Sequence, residues 1–440
     1  MLPRLDNNIF ASLITILFYA GLSPALWAAD NNVEQEFHLI YSGNLNGEYE
    51  PCGCAKESDL GGMMRRGTMI KQLRQAMPEL LLISAGGLIS SQSPQDKIKA
   101  GYILKSYSML AYDAIGLQWP DLAFGPAFLE STPLPWVSSN HHQHVPAQRV
   151  IMRKKQRFVF FSWIDPVQAP DMMHSDKQNM TKPETAALRE ALREAKQQTS
   201  ITLLSTTLSL ADAQKQLPLG NVDILILKAV DEQIGAPNMI GNMLVLRPGT
   251  RGMRLGQLSV HIKDQRIEKY QHKIIQLPRS IEDEPLLTQQ HQAYNDAVRA
   301  DYMKRVAIRK KHQSGESPFT GDEACESCHK QAYMIWQNSK HAHAYETLEK
   351  VDKAYDPECI GCHSVGFDQS GGFVDPMITS NLMHVQCENC HGPGQAHVKS
   401  KGEQKTLNAN LAPIIVCKQC HVGSHSPVFK LKEYWQKVKH

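Results

Sequence analysis

Two hydrophobic rhythms divide the chain. Between residues 37 and 276, short apolar runs bounded by Gly, Pro or Asp recur: "FHLIYS", "LLLISAGG", "DAIGL", "VDILILKAV" and "NMLVLR". Their length and their leucine-rich or β-branched content predict strands. "ETAALREALREAKQQ" sets leucine and alanine at helical spacing with charge opposite, which predicts an amphipathic helix. "RVIMRKKQRFVFFSW" predicts a hairpin turning at Lys155 and Gln156. Strands alternating with helices imply a layered α/β domain, its sheet covered by helices. Residues 281–311 predict one helix after Pro285, with Leu287, Tyr294, Val298 and Tyr302 on the face that packs on the first domain. Its end is basic, and such a run is either a solvated face or an attractor for acidic groups. Past residue 319 large aliphatic residues thin out and Gly and Pro scatter, so no ordinary core can form there unaided. A helix from Tyr333 to Lys350 is still expected.

Composition changes this picture through its cysteines. There are ten. Cys52 and Cys54 sit in "YSGNLNGEYEPCGC", and the other eight form four pairs after residue 320. The pairs read "CESCH" (Cys325, Cys328, His329), "CIGCH" (Cys359, Cys362, His363), "CENCH" (Cys387, Cys390, His391) and "CKQCH" (Cys417, Cys420, His421). C-x-x-C-H is the attachment signal for haem c: the two thiols reach the two vinyl groups of one porphyrin, and the next histidine ligates iron. Zinc can also use paired C-x-x-C, but it does not require histidine at one offset in four copies. Four covalently bound haems are expected, and they would supply the apolar surface the polypeptide lacks.

Ten histidines lie between 319 and 440, and the motifs use four. A second histidine closes a haem for electron transfer, whereas an open position admits small molecules. Candidates are His341, His343, His384, His397, His425 and His312. His440 is terminal and is expected to be free of iron. His343 lies two residues from His341, so on a helix the two cannot face one haem.

A net charge of +3 with 21% charged residues gives no reason to expect nucleic acid. Residues 1–29 carry Arg4, an apolar run from Ile9 to Leu22 and small residues before Asp30, the layout of a secretory signal peptide. The rival is a retained anchor, for which the run is short and broken by Gly21 and Pro24. Export to the periplasm follows.

The residues "ACESCHKQAYMIWQNSKHAHAYETL", "PECIGCHSVGF", "GGF" and "VQCENCHGPGQAH", followed by the last C-x-x-C-H, make 319 to about 425 resemble the tetrahaem cytochrome c-554 family. That resemblance implies closely stacked haems relaying single electrons, mostly with two histidine ligands, and one haem that can lack its second. It points to His341 and His397 as distal ligands, while His384 matches no fixed ligand of the family.

The first half resembles the metallophosphoesterase domain of periplasmic 5′-nucleotidases. "NLNG" corresponds to the DxHG loop, "GGMMRR" to a GG-x-x-RR segment, "ISAGG" to the strand ending in GD, "AYDAIGLQWPDLAFG" to the GNHE segment, and "GTRGMRLGQLSVHI" to the closing hairpin. The enzyme chemistry needs two metals held by Asp, Asn and His. Here Asn44 and Asn46 replace the first Asp and His, Gly87 the bridging Asp, Trp119 and Pro120 the Asn and His of GNHE, and Thr206 a later His, while "LILKAVD" lacks the GHxH pair. Phosphatase activity is not expected. Three readings of Cys52 and Cys54 fit: a loop-shaping pair, a redox or sulfur-binding pair activated by Arg65 and Arg66, or a contact with a haem edge.

The expected organisation is a signal peptide (1–29), a degenerate metallophosphoesterase-like α/β domain (35–278), a basic helical linker (279–318) and a mostly helical, loop-rich tetrahaem cytochrome c domain (319–440). The expected function is electron transfer with periplasmic or membrane-associated redox proteins, the first domain docking a partner or binding a small-molecule ligand. The alternative is a reductase for a small nitrogen or sulfur compound at an open haem. The sequence sets no oligomeric state.

Overall fold

The computed structural model describes residues 35–52, 59–141, 145–170, 185–228, 235–313, 316–422, 426 and 428–440. The signal-peptide segment, Cys54 and His425 lie outside them, as do the side chains of Cys52 and His312.

Fourteen strands are described. The first six are β1 (Gln35–Ser42), β2 (Pro51–Cys52), β3 (Leu60–Gly61), β4 (Leu81–Ser84), β5 (Ala114–Gly116) and β6 (Trp136–Val137). Next come β7 (Gln148–Arg153), β8 (Gln156–Trp163), β9 (Ser200–Thr206) and β10 (Ile224–Leu227). The last four are β11 (Asn238–Ile240), β12 (Met243–Leu246), β13 (Arg254–Lys263) and β14 (Arg266–Gln276). They build two six-stranded sheets, ordered β14-β13-β1-β4-β5-β6 and β11-β12-β10-β9-β8-β7, and β2 pairs with β3. The centres of both sheets are parallel. Antiparallel strands lie at both edges of the second sheet and at the β13–β14 end of the first, whose β6 edge is parallel. The hairpin turn falls at Lys154 and Lys155, one residue earlier than the sequence suggested, because Gln156 still pairs with Arg153 and Lys154 takes a positive φ of 51°.

Alternation along the strands makes the layers. Leu39 and Tyr41 face Phe158, Phe160 and Leu203 of the opposite sheet, while Ile40 faces the outer helices. Those helices are α1 (Met63–Ala76) and α2 (Asp96–Leu110). On the other side, Phe161, Leu204 and Leu225 pack against α4 (Thr185–Gln197), which turns Leu188, Leu192 and Ala195 inward; α3 (Pro126–Glu130) and α5 (Leu210–Gln216) are short. Leu192 is fully buried, so its truncation to Ala costs about 2–5 kcal/mol. Helix, sheet, sheet and helix form an α/β sandwich.

Helix α6 (Pro285–His312) starts at Glu284, whose carboxylate accepts from Leu287 N. It has Pro285 in its first turn. Leu287, Tyr294, Val298 and Tyr302 are all buried. Leu287 fits over Gly67 of α1, where a Cβ would come within 2.3 Å of it. Tyr302 donates instead to Val374 O, so α6 touches both halves of the molecule. Two of its basic residues also reach the C-terminal half, Arg299 on Asp352 at 2.7 Å and Arg309 on Asp368 at 2.9 Å.

The C-terminal region is helical in short pieces. The expected helix from Tyr333 to Lys350 is broken into Lys330–Gln337, a 3-10 turn Lys340–His343, and Ala344–Glu349. Ser339 breaks it by capping His341 N. Of the described hydrophobic side chains, the last one buried is Leu382.

Candidate functional site

Three motif histidines each face a second imidazole. His329 and His397 have ring centres 6.0 Å apart at 22°, His341 and His421 6.2 Å apart at 43°, and His391 and His440 5.7 Å apart at 51°. Two imidazoles on one metal stand with ring centres roughly 6 Å apart, since each metal–nitrogen bond is about 2 Å. The hydrogen bonds fix which nitrogen is free. His397 Nδ1 donates to Gln404 O at 2.6 Å, His440 Nδ1 to Val438 O at 2.9 Å and His363 Nδ1 to Ala344 O at 2.7 Å. A carbonyl only accepts, so each Nδ1 carries the proton and each Nε2 keeps its lone pair for a metal. Burial lowers the pKa of His341, with His421 and His363 adding to the effect, and this favours the neutral ligating form. These rings fit haem iron.

His440, expected to be free of iron, has its ring centre 5.7 Å from that of His391 in the third motif. Among the described residues no histidine ring stacks on His363. His343 sits outside the pairs and binds Glu346 at 3.2 Å, exposed. His384 accepts from Tyr345 N at 3.3 Å, so its Nδ1 is engaged with backbone.

The attachment helices are set by local chemistry. Asp356 caps Pro357–His363 by accepting from Glu358 N at 3.1 Å. Glu388, inside the third motif, is buried and accepts from Thr320 N, Gly321 N and Gly394 N at 2.7–3.1 Å, which clips the third motif to the approach of the first. Sequence reasoning missed this clip, although a carboxylate between two attachment cysteines was its visible sign. The thiols of Cys325 and Cys387 lie close enough to shift each other's ionisation, as do those of Cys362 and Cys420. Cys390 lies within electrostatic reach of Cys417 and Cys420.

In the first half, Asn44 Nδ2 donates to Asn46 Oδ1 at 2.9 Å and to Thr250 Oγ1 at 3.2 Å, and Asn46 Nδ2 donates to Thr250 Oγ1 at 2.9 Å. The amides thus bind each other and Thr250, while Asn44 Oδ1 stays buried without a partner. Gly87 has φ +66°, and a Cβ there would lie 2.7 Å from Asn44 Cβ and 2.7 Å from Gln118 Oε1. No aspartate fits without displacing them. Gln118, not Trp119 or Pro120, fills this space; Trp119 turns away and its indole donates to Asp165 O at 2.8 Å. Asp121 secures the loop by accepting from Gly87, Leu88, Ile89 and Gln118 amides. Burial pushes its pKa up to about 6 against the pull of those four amides. Lys228, at the end of β10, is lowered by burial and feels the charge of Asp121. Arg65 is held by Asp59 at 2.7 Å, and the buried Arg66 by Tyr112 Oη and Gly252 O, so both guanidiniums already have partners. Among the described residues, no three His, Cys, Asp or Glu side chains converge as a metal-ion site.

Comparison with known proteins separates the halves in the same way. Residues 324–392 match the family of cytochrome c554 and c-prime. The cytochrome region is 37% identical over 123 residues to cytochrome c-554 of Nitrosomonas europaea, covering 22% of this chain and 52% of that protein. The chain thus spans about half the length of this curated relative. The sandwich is similar to a 5′-nucleotidase precursor from Thermus thermophilus, with TM-score 0.52 and 15% identity over 60% of this chain and 59% of that one. A putative 5′-nucleotidase from Staphylococcus aureus gives TM-score 0.50 and 12% identity over 82% of this chain and 72% of that one. At such identity the likeness is one of fold: the first half is a metallophosphoesterase-like α/β domain. No helix among the described residues is long and apolar enough to cross a membrane.

Proposed function

We propose that this chain is an exported tetrahaem cytochrome that passes electrons in a periplasmic redox chain, with a phosphoesterase-like domain that is not catalytic and serves docking or ligand binding. The observation that carries the reading is the set of three imidazole pairs, each containing one attachment-motif histidine. Bound haem supplies one-electron exchange at its iron. In this reading each Cys pair would hold one porphyrin, and the pairs His329 and His397, His391 and His440, and His421 and His341 would hold iron. The Nδ1 bonds keep His397 and His440 in the ligating orientation. The nearness of the Cys325 thiol to Cys387, of Cys362 to Cys420 and of Cys390 to Cys417 supports a relay running first, third, fourth, second motif. The partners are redox proteins of the same compartment. A pyridine haemochrome assay returns four haems per chain if this is right, and a count below three defeats it.

A second reading, reduction of a small nitrogen or sulfur compound, is favoured by His363, which among the described residues faces no other histidine ring. Electron paramagnetic resonance of the oxidised protein tests it: a high-spin signal that shifts with nitrite, NO or cyanide supports it, and wholly low-spin iron removes it. Nucleotide hydrolysis with added divalent metal, abolished by substitution in the Asn44–Asn46 loop, would overturn the non-catalytic role of the first domain.

A further inference from the structure

The loop after β1 carries Glu50, which lies against Lys353 just before the second attachment motif. Glu50 meets Lys353 at 2.7 Å and also His291 of α6. Lys353 is nearly buried, with 12% of its side chain exposed, and lies 3.6 Å from Asp356, whose side chain is 4% exposed. It also donates to Asn295 Oδ1 of α6 at 2.9 Å. Asp356 caps the helix carrying Cys359, Cys362 and His363, and accepts from Gln95 of α2 at 3.0 Å. Lys99 of α2 adds a second bridge to Glu358 at 2.5 Å. The rebuilt half thus grips one attachment helix with charge, whereas surface ion pairs seldom share so many partners. Burial pushes the Cys359 thiol up, with Asp356 adding to the shift, Lys353 opposing it, and Glu50 and Glu358 adding further.

We propose that the phosphoesterase-like domain tunes the haem at Cys359–Cys362 through Glu50, Lys353 and Asp356, which position its helix and set its reduction potential. The proposal rests on the haem reading above. When ferric iron takes one electron from an external donor, the haem loses one unit of positive charge. A nearby carboxylate favours the ferric state and a nearby ammonium the ferrous state. Glu50 and Lys353 therefore act in opposite directions. They are positioning residues, since they reach iron only through the field and the helix.

The test is a potentiometric titration of the full haem-loaded protein, followed optically and by electron paramagnetic resonance. Lys353→Met shifts the one-electron equilibrium of a single haem about tenfold toward ferric, which is 59 mV downward. Glu50→Gln shifts the same haem in the opposite direction, and Glu50→Asp, which keeps the charge, restores it. Shifts of the same sign, equal shifts of all haems, or no shift in either variant overturn the proposal. If Lys353→Met does not load fully, the upward shift in Glu50→Gln and its return in Glu50→Asp decide alone. A pyridine haemochrome count on each variant keeps the two ideas apart: too few haems in the unaltered protein defeats the haem reading, whereas a full count with unmoved potentials defeats only this one.

Discussion

The central strands of the sandwich bury apolar side chains on both faces, from Ile40 and Tyr41 in one sheet to Leu225 and Ile226 in the other. The cytochrome region buries such residues only in its first part, from Phe319 through Tyr345, Ile360 and Phe373 to Leu382. Beyond Leu382 no described hydrophobic side chain is buried, while Leu407, Ile415, Val428 and Trp435 stand exposed. One half therefore folds on its own transfer free energy, roughly 25 cal/mol per Å² of apolar surface. The end of the other buries no apolar side chain among the described residues past Leu382, where covalent haem would supply the missing apolar surface and stabilise local order.

The largest effect should come from breaking that dependence. Cys417→Ala together with Cys420→Ala should remove one haem and leave the chain beyond the third motif open to limited proteolysis, with the sandwich surviving as a resistant fragment. Digestion as slow as in the unaltered protein would show that the tail holds itself. Second in size is loss of one ring of a pair. His440→Ala should convert one low-spin ferric haem to high spin, read by electron paramagnetic resonance, and His397→Ala should do the same to another. An unchanged spectrum in His440→Ala would remove the chain end from iron coordination.

Within the sandwich, Gly87→Asp asks whether the old metal position can be restored. The new Cβ meets Asn44 and Gln118 and must take a positive φ, so about 1–3 kcal/mol of stability should be lost in denaturant unfolding, without gain of metal binding. A stable, metal-binding variant would show that the loop is merely vacant and not closed. The smallest effect concerns acid. Contacts with His291 and Lys353 outweigh burial and hold Glu50 down to about 2 from 4.5. A carboxyl depressed in the folded state contributes stability above its unfolded value that fades as pH falls from about 4.5 to about 2. Glu50→Gln should flatten that part of the acid-unfolding curve; an unaltered curve would mean the ion pair adds nothing.

Legibility in the sequence follows the range of the physics. Covalent attachment is local, so Cys-x-x-Cys-His is readable in one short motif, and the strand rhythm of "VDILILKAV" is readable because both of its faces are buried. Gln118 escaped because adjacent strand-end residues differ only in which way the backbone turns, and that choice belongs to the Asp121 amide cluster. The helix expected through His341 broke because a serine caps its own downstream turn.

By itself the sequence determined which atoms are available: eight thiols in four Cys-x-x-Cys pairs, their adjacent imidazoles, and a loop after β1 that carries the amides of Asn44 and Asn46. Tertiary structure alone decided which imidazole faces which. His329 meets His397 and His391 meets the terminal His440, partners set by chain paths that no short-range pattern encodes. It also decided that Glu50 of the rebuilt loop lies against Lys353 beside the second attachment helix. Contacts between distant segments depend on how whole layers pack, and a one-dimensional pattern constrains that only through which faces must be buried.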